Sequence, residues 1–244
     1  MSDGSEAKGL PLEGFDTSVP GLPAAQWAEW ASHAPEWVPS AAHIVVVAPH
    51  PDDETLGAGG LISWCVQRTK RVTIISVTDG EGACPEVPAL DHVRRRELVS
   101  AMRELELAPS DIFRLGLADG SVAEREVELA QSLAKCIPDG AVIVAPFEFD
   151  GHPDHEAVAR ACRAAATQRG LTLVRYPIWA WHRGSAELFM ESRSVRFVLN
   201  DRARAAKRRA IAEHRSQLGD RPGGAILPAH VLEYFDQPYE VFLL

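Results

Sequence analysis

From residue 43 onward the chain alternates short β-branched runs with stretches of helical periodicity. His43–Ala48 (HIVVVA) is apolar without interruption, which fits a strand covered on both faces rather than one with a wet side. Helical spacing of apolar residues follows at Gly59–Thr69, then a strand at Arg71–Thr78, a helix at Asp91–Leu107 and a strand at Asp111–Leu115. A helix at Val122–Cys136, a strand at Ala141–Pro146, a helix at Asp154–Arg169 and a strand at Leu171–Trp179 continue the pattern. A strand at Val195–Leu199, a helix near Asp201–Gln217 and a last strand around Glu240–Leu243 are expected to extend the sheet edge. Such alternation implies parallel strands joined by crossover helices. The expected fold class is therefore α/β: a doubly wound, mostly parallel, Rossmann-like sheet with helices on both faces. Ligands of such sheets bind beyond the carboxyl ends of the strands.

Residues 1–40 follow a different pattern. They carry Pro11, Pro20, Pro23, Pro35 and Pro39, with Trp27, Trp30 and Trp37 around a weakly helical stretch at Ala24–Ser32. Trp27 and Trp30 fall on one helical face, and large aromatic rings are costly to leave in water. This segment reads as an extension docked by its tryptophans onto a single domain formed by residues 41–244. The alternative is a cover or a subunit contact near the active site, which keeps a homo-oligomer open.

Composition narrows the partners. The 244 residues are 46% hydrophobic and 24% charged, as in an ordinary globular chain with one substantial core. Lys and Arg number 25 against 34 Asp and Glu, a net charge of −9, so the surface repels a polyanion and a nucleic-acid partner is excluded. No apolar window is long enough for a membrane span, and the acidic start lacks the features of a signal peptide. A cytoplasmic location is expected. The cysteines form no C-x-x-C pair: Cys65, Cys136 and Cys162 sit in apolar helical patterns and Cys84 in a loop. Neither a thiolate metal site nor a disulfide framework is indicated.

The chemistry is concentrated where the fold rule places it. The first strand runs into Pro49-His50-Pro51-Asp52-Asp53-Glu54, and the fourth leads to Asp150-Gly151-His152-Pro153-Asp154-His155. Adjacent carboxylates crowded with imidazoles at two loops facing one crevice fit a divalent cation, without which the carboxylates repel one another. A nitrogen-and-oxygen donor set favours zinc, with iron, cobalt or nickel compatible with the same geometry. Neighbours in an extended loop point in opposite directions, so one of Asp52 and Asp53 can bind the metal while the other faces substrate. Pro153 suits the first helical position, leaving His152 near the cap and His155 on the same helical face. Two His and one carboxylate leave a coordination position open, as catalytic sites do.

PHPDDE after a strand, with HPDH far downstream, resembles the LmbE-like, or PIG-L, family of zinc-dependent N-acetylglucosaminyl deacetylases. The resemblance runs from about His43 to His155. Leu115-Gly116-Leu117-Ala118-Asp119-Gly120 is similar to the family's LGLPDG, with Ala118 in the proline position, and Trp179-Ala180-Trp181-His182 is a weaker echo. The resemblance implies His50, Asp53 and His155 as zinc ligands and Asp52 as general base. It implies that His152 stabilises the oxyanion or protonates the leaving group, with Asp154 orienting it, and that Arg94 and Asp119 hold the sugar. The implied reaction removes an N-acetyl group from an N-acetylglucosamine-containing small molecule or glycoconjugate. Activated water attacks the acetamide carbonyl, Asp52 takes the proton, and the cation and protonated His152 face the oxyanion. The rival readings are an amidase of another carboxamide and a non-catalytic sugar- or metal-binding protein.

Four further features have plainer readings. Gly57-Ala58-Gly59-Gly60 does not fit a phosphate-cradling loop and is expected to allow close helix-to-sheet approach. Arg95 and Arg96 read as a solvated, ion-paired face. His214 reads as a satisfied core histidine. Trp179, Trp181 and His182 follow the fifth strand, where rings either pack or stack on a sugar.

Overall fold

The computed structural model describes residues 17, 19–84, 86–184, 186–189, 192–219 and 225–244. The part of the N-terminal extension before residue 17, Pro11 included, lies outside them. Seven strands form one sheet: β1 (His43–Ala48), β2 (Arg71–Thr78), β3 (Ile112–Leu117), β4 (Val142–Pro146), β5 (Thr172–Tyr176), β6 (Ser194–Val198) and β7 (Tyr239–Leu243). Their order is β3-β2-β1-β4-β5-β7-β6. The first five run parallel, and β7 is antiparallel to both β5 and β6.

The helices are α1 (Ala24–Ser32), α2 (Asp53–Gln67), α3 (Leu90–Glu104), α4 (Glu126–Cys136) and α5 (Pro153–Arg169), followed by α6 (Ala180–Arg183), α7 (Asp201–Glu213), α8 (Arg215–Leu218) and α9 (Ala229–Leu232). The unbroken apolar run of β1 is explained by two cores. Ile44 and Val46 face one core shared with residues of α2 and α3, while Val45 and Val47 face another shared with α4 and α5. The sheet is thus doubly wound, as the alternation predicts. From β1 the chain winds outward to β3, then returns to the other side of β1 as β4. The β1/β4 boundary is therefore the topological switch point, where such sheets open a crevice at their carboxyl ends.

Several boundaries differ from the periodicity. Helix α2 begins at Asp53, not Gly59, because its first turn is polar yet buried in the crevice. The helix expected over Asp201–Gln217 breaks at His214, whose ψ of 53° is not helical. The last parallel strand stops at Tyr176, and Trp179 instead precedes α6. Cys136 is exposed and so does not pack as expected, whereas Cys65 and Cys162 are buried.

The glycines of α2 permit close approach. A Cβ on Gly57 would lie 2.3 Å from the Tyr176 ring, and one on Gly60 would lie 2.4 Å from Leu199. The described part of the extension packs on the main body. The Trp27 indole donates to Trp181 O at 2.7 Å, its ring lies edge-on to Trp181 at 5.1 Å, and Trp37 meets Phe242 at 5.5 Å. No described helix is long and apolar enough to cross a membrane.

Candidate metal centre and active site

The switch point brings both dense segments together. The turn after β1 carries His50, Asp52 and Asp53. The loop after β4 delivers His152 as the N-cap of α5, with Pro153 in the first turn and His155 beyond it. Asp52 is not in an extended run: it is the N-cap of α2 with φ 135° and ψ −30°, a conformation that costs a non-glycine residue about 1–3 kcal/mol. Its different direction from Asp53 arises at this turn. The strain is held from two sides. Asp52 N–H donates to Glu54 Oε2 at 3.2 Å, and its Oδ2 lies 3.1 Å from Arg94 Nη2. Buried Arg94 also donates to Pro51 O at 2.7 Å and Gly80 O at 2.9 Å.

Three donor atoms form a nearly equilateral triangle. His50 Nδ1 and His155 Nε2 are 3.2 Å apart, and each lies 3.3 Å from Asp53 Oδ2. Ligands at ~2.0–2.1 Å from a tetrahedral centre stand roughly 3.3–3.4 Å from one another, so these edges suit one small cation. Two imidazole nitrogens facing at this distance can share at most one proton between them, and a cation would relieve that conflict. Burial raises the carboxyl of Asp53, but His155 and His50 outweigh it and hold it well below the usual range. Burial lowers His155, and Asp53 and Asp150 outweigh it to bring it to about 9.

The outer nitrogens of both rings are also fixed. His50 Nε2 faces Asp119 Oδ1 at 3.0 Å and Asp154 Oδ2 at 3.3 Å. His155 Nδ1 lies 2.7 Å from Asp150 Oδ2. Carboxylate partners of this kind set the tautomer and direct the opposite nitrogen to a metal. Asp150 is itself held by the N–H groups of Ile178, Trp179 and Ala180 at 2.8–3.0 Å. No role is assigned to Asp150 from the sequence. The available signal is a carboxylate in the same short segment as His155.

The structure brings the eight candidate site residues, His50, Asp52, Asp53, Arg94, Asp119, His152, Asp154 and His155, to this crevice, and several of their contacts differ from those the resemblance implies. The Asp154 carboxylate does not orient His152. It faces His50 and accepts from Gly120 N at 2.7 Å and Val122 N at 3.2 Å. The backbone N–H of Asp154 is what reaches His152, donating to Nδ1 at 3.2 Å. The hydrogen of a neutral His152 ring is then on Nε2. Burial, with His155 and His50 nearby, lowers His152 to about 3, so the surroundings favour this neutral donor over the expected imidazolium. Arg94 and Asp119 line the cavity, but protein groups engage them. Arg94 straps the Asp52 turn, and Asp119 Oδ2 accepts from Gly82 N at 2.8 Å. Burial pushes Asp52 up to about 7, offset in part by Arg94.

The plainer features divide. Arg95 pairs with Asp79 at 2.6 Å and Asp91 at 3.0 Å, and Arg96 is exposed. Trp179 lines the cavity, whereas Trp181 packs against Trp27 and Trp30. His214 is buried with Nε2 3.1 Å from Thr55 Oγ1, behind the Asp52 turn. The cavity above the triangle is about 440 Å³, and Ile226 and Gln217 lie on its wall along with Thr17 of the extension.

Known proteins resemble this chain in sequence and fold. The chain is 34% identical over 130 residues to the probable N-acetyl-alpha-D-glucosaminyl L-malate deacetylase 2 of Bacillus subtilis, a match covering 49% of this chain and 58% of that protein. It is similar to the conserved protein TT1542 from Thermus thermophilus, with 30% identity, a TM-score of 0.54, and 72% and 80% of the two chains covered. The N,N'-diacetylchitobiose deacetylase of Pyrococcus horikoshii shares the fold at 22% identity, with a TM-score of 0.56 and 74% and 72% covered. Residues 45–166, half of the chain and the span holding both loops, match the family model described as PIG-L: GlcNAc-PI de-N-acetylase, and the chain belongs to that family.

Proposed function

We propose that the chain is a zinc-dependent N-deacetylase that hydrolyses the acetamide of an N-acetylglucosamine-containing small molecule or glycoconjugate. The observation that carries this reading is the 3.2–3.3 Å triangle of His50, Asp53 and His155 with a buried, unligated carboxylate, Asp52, on the neighbouring residue. The nitrogen-and-oxygen donor set favours zinc. The family match and the Bacillus relative's activity support the amino-sugar acetamide.

His50, Asp53 and His155 would hold a divalent cation, whose Lewis acidity would be available to water and to the carbonyl oxygen. The remaining chemistry belongs to this chain's own side chains. Asp52 accepts a proton from the attacking water, a task suited to a carboxyl raised towards neutrality. Arg94 and the Glu54 carboxylate hold Asp52 in its strained turn so that no reorientation is needed. His152 donates Nε2–H to the developing oxyanion. As the C–N bond breaks, Asp52 returns the proton to the leaving nitrogen. Acetic acid and a free amine result, one water consumed, and the acid's proton passes to the amine or to solvent to leave acetate.

The test is acetate release by zinc-loaded protein from N-acetylglucosaminides compared with simple N-acyl amines. The sugar substrates are expected to be hydrolysed preferentially, with chelation abolishing the reaction and zinc restoring it. Asp52→Asn is expected to keep its metal and lose ~10²–10⁴-fold in kcat. Equal turnover of simple N-acyl amines would make the chain a general amidase. No acetate from any acetamido sugar would overturn the reading.

A further inference from the structure

Gln217 lies on α8, outside the residues that match the family model, and the mechanism above gives it no part. Its side chain is wholly buried and it lines the active-site cavity. A hydrogen-bond chain from α3 fixes which way its carboxamide points. Glu97 accepts twice, from Ser216 N at 2.7 Å on Oε1 and from Ser216 Oγ at 2.6 Å on Oε2. A carboxylate only accepts, so the Ser216 hydroxyl hydrogen is spent on Glu97 and its oxygen is free to receive. Gln217 Nε2 donates to that oxygen at 2.7 Å. A flipped amide would set its oxygen against the Ser216 oxygen with no hydrogen between them, so the network excludes it.

The consequence is a buried acceptor, Gln217 Oε1, without a partner among the described residues. The backbone of Gln217 is pinned on both sides, its N–H bonding to His214 O at 2.9 Å and its C=O receiving Leu227 N–H at 3.0 Å. The Nε2 bond to Ser216 holds the carboxamide on this backbone, and turning Oε1 elsewhere would break it. A neutral, unpaired acceptor on a residue that lines the cavity is suited to a neutral donor on the ligand. Buried acceptors left unpaired cost free energy that a correct ligand recovers.

Resting on the deacetylase reading, we propose that Gln217 Oε1 accepts a hydrogen bond from a ring hydroxyl of the bound amino sugar and so acts as a specificity determinant. Asp52 and His152 already serve the acetamide, which leaves the hydroxyls of the sugar as the donors for this acceptor. Glu97 and Ser216 are positioning residues that hold the carboxamide in its reading orientation.

The test uses zinc-loaded wild type and Gln217→Met, whose side chain is close in size and has no such acceptor, with thermal unfolding as the folding control. A methyl N-acetylglucosaminide and its monodeoxy analogues are the substrates, and kcat/KM is compared within each protein. In wild type one deoxy analogue is expected to be poorer than the parent by about tenfold to a hundredfold, the loss set by one unpaired buried acceptor. In Gln217→Met that ratio is expected to collapse towards one while the other ratios persist. Ser216→Ala, which leaves the cavity wall intact, is expected to weaken the same ratio alone, and it carries the test if Gln217→Met does not fold. Identical ratios in wild type and the folded variants would overturn the assignment. Failure of wild type to release acetate from the parent glycoside would instead overturn the deacetylase reading, and this assignment with it.

Discussion

Asp52 and Asp53 are adjacent, both buried, and chemically opposite because of what faces them. Asp53 meets two imidazole nitrogens and is held ionised, while Asp52 has one guanidinium and is pushed up by burial. Adjacency in the sequence suggests divided roles, but the division arises from the φ of 135° at Asp52, which periodicity does not reveal. Asp150 faces His155 Nδ1 at 2.7 Å, and in the proposed metal centre it would orient that ring. Replacing it by Asn is expected to weaken zinc affinity ~10–100-fold in competition titrations with a chelator, and unchanged affinity would deny it that part. Asp79 anchors the segment after β2, accepting from Arg95 at 2.6 Å and from Arg114 at 2.7 and 2.8 Å. Burial raises its carboxyl, but the two guanidinium groups outweigh burial and lower it. A lowered folded value stabilises above the unfolded value of ~3.9, and the contribution is lost as pH falls through the folded one. The Tm difference between wild type and Asp79→Asn is therefore expected to be full at neutral pH and to shrink on acidification below ~4.

At the level of elements, helix α2 couples the site to the far side of the sheet. Its middle amides, Gly60 N and Leu61 N, donate to Glu240 of β7 at 2.7 and 2.8 Å, and buried Lys207 of α7 pairs with the same carboxylate at 2.7 Å. Lys207→Met leaves a buried carboxylate without its cation, and a loss of ~3–5 kcal/mol is expected in denaturant unfolding, much of it recovered when Glu240→Gln is added. Strand β1 was readable to the residue because its short apolar run is rich in β-branched residues and buried on both faces, and β2 because β-branched residues dominate it between turn signals. The start of α2 was not, since Asp53, Glu54 and Thr55 are polar yet buried and break the apolar spacing. The interruption at His214 was hidden because residues on both sides of it keep helical composition. Its effect is to aim Ser216 and Gln217 at α3 and the cavity.

For the whole molecule, the order β3-β2-β1-β4 places two loops distant in the chain side by side at one crevice. That convergence was legible in outline, because both motifs end parallel strands and doubly wound sheets bind at the switch point. The outer carboxylates around His50 and the contacts of Arg94, Asp119 and Asp154 were not, since they depend on distances between segments. The central claim is a cation held by His50, Asp53 and His155. It is tested most directly by metal analysis and X-ray absorption on protein loaded with one equivalent of zinc, for wild type and His155→Ala. The account predicts stoichiometric zinc in wild type, bound by two imidazole nitrogens and a carboxylate oxygen at ~2.0–2.2 Å, with site occupancy lost in the variant. Wild-type zinc without imidazole ligation, or an unchanged zinc site in His155→Ala, would contradict it.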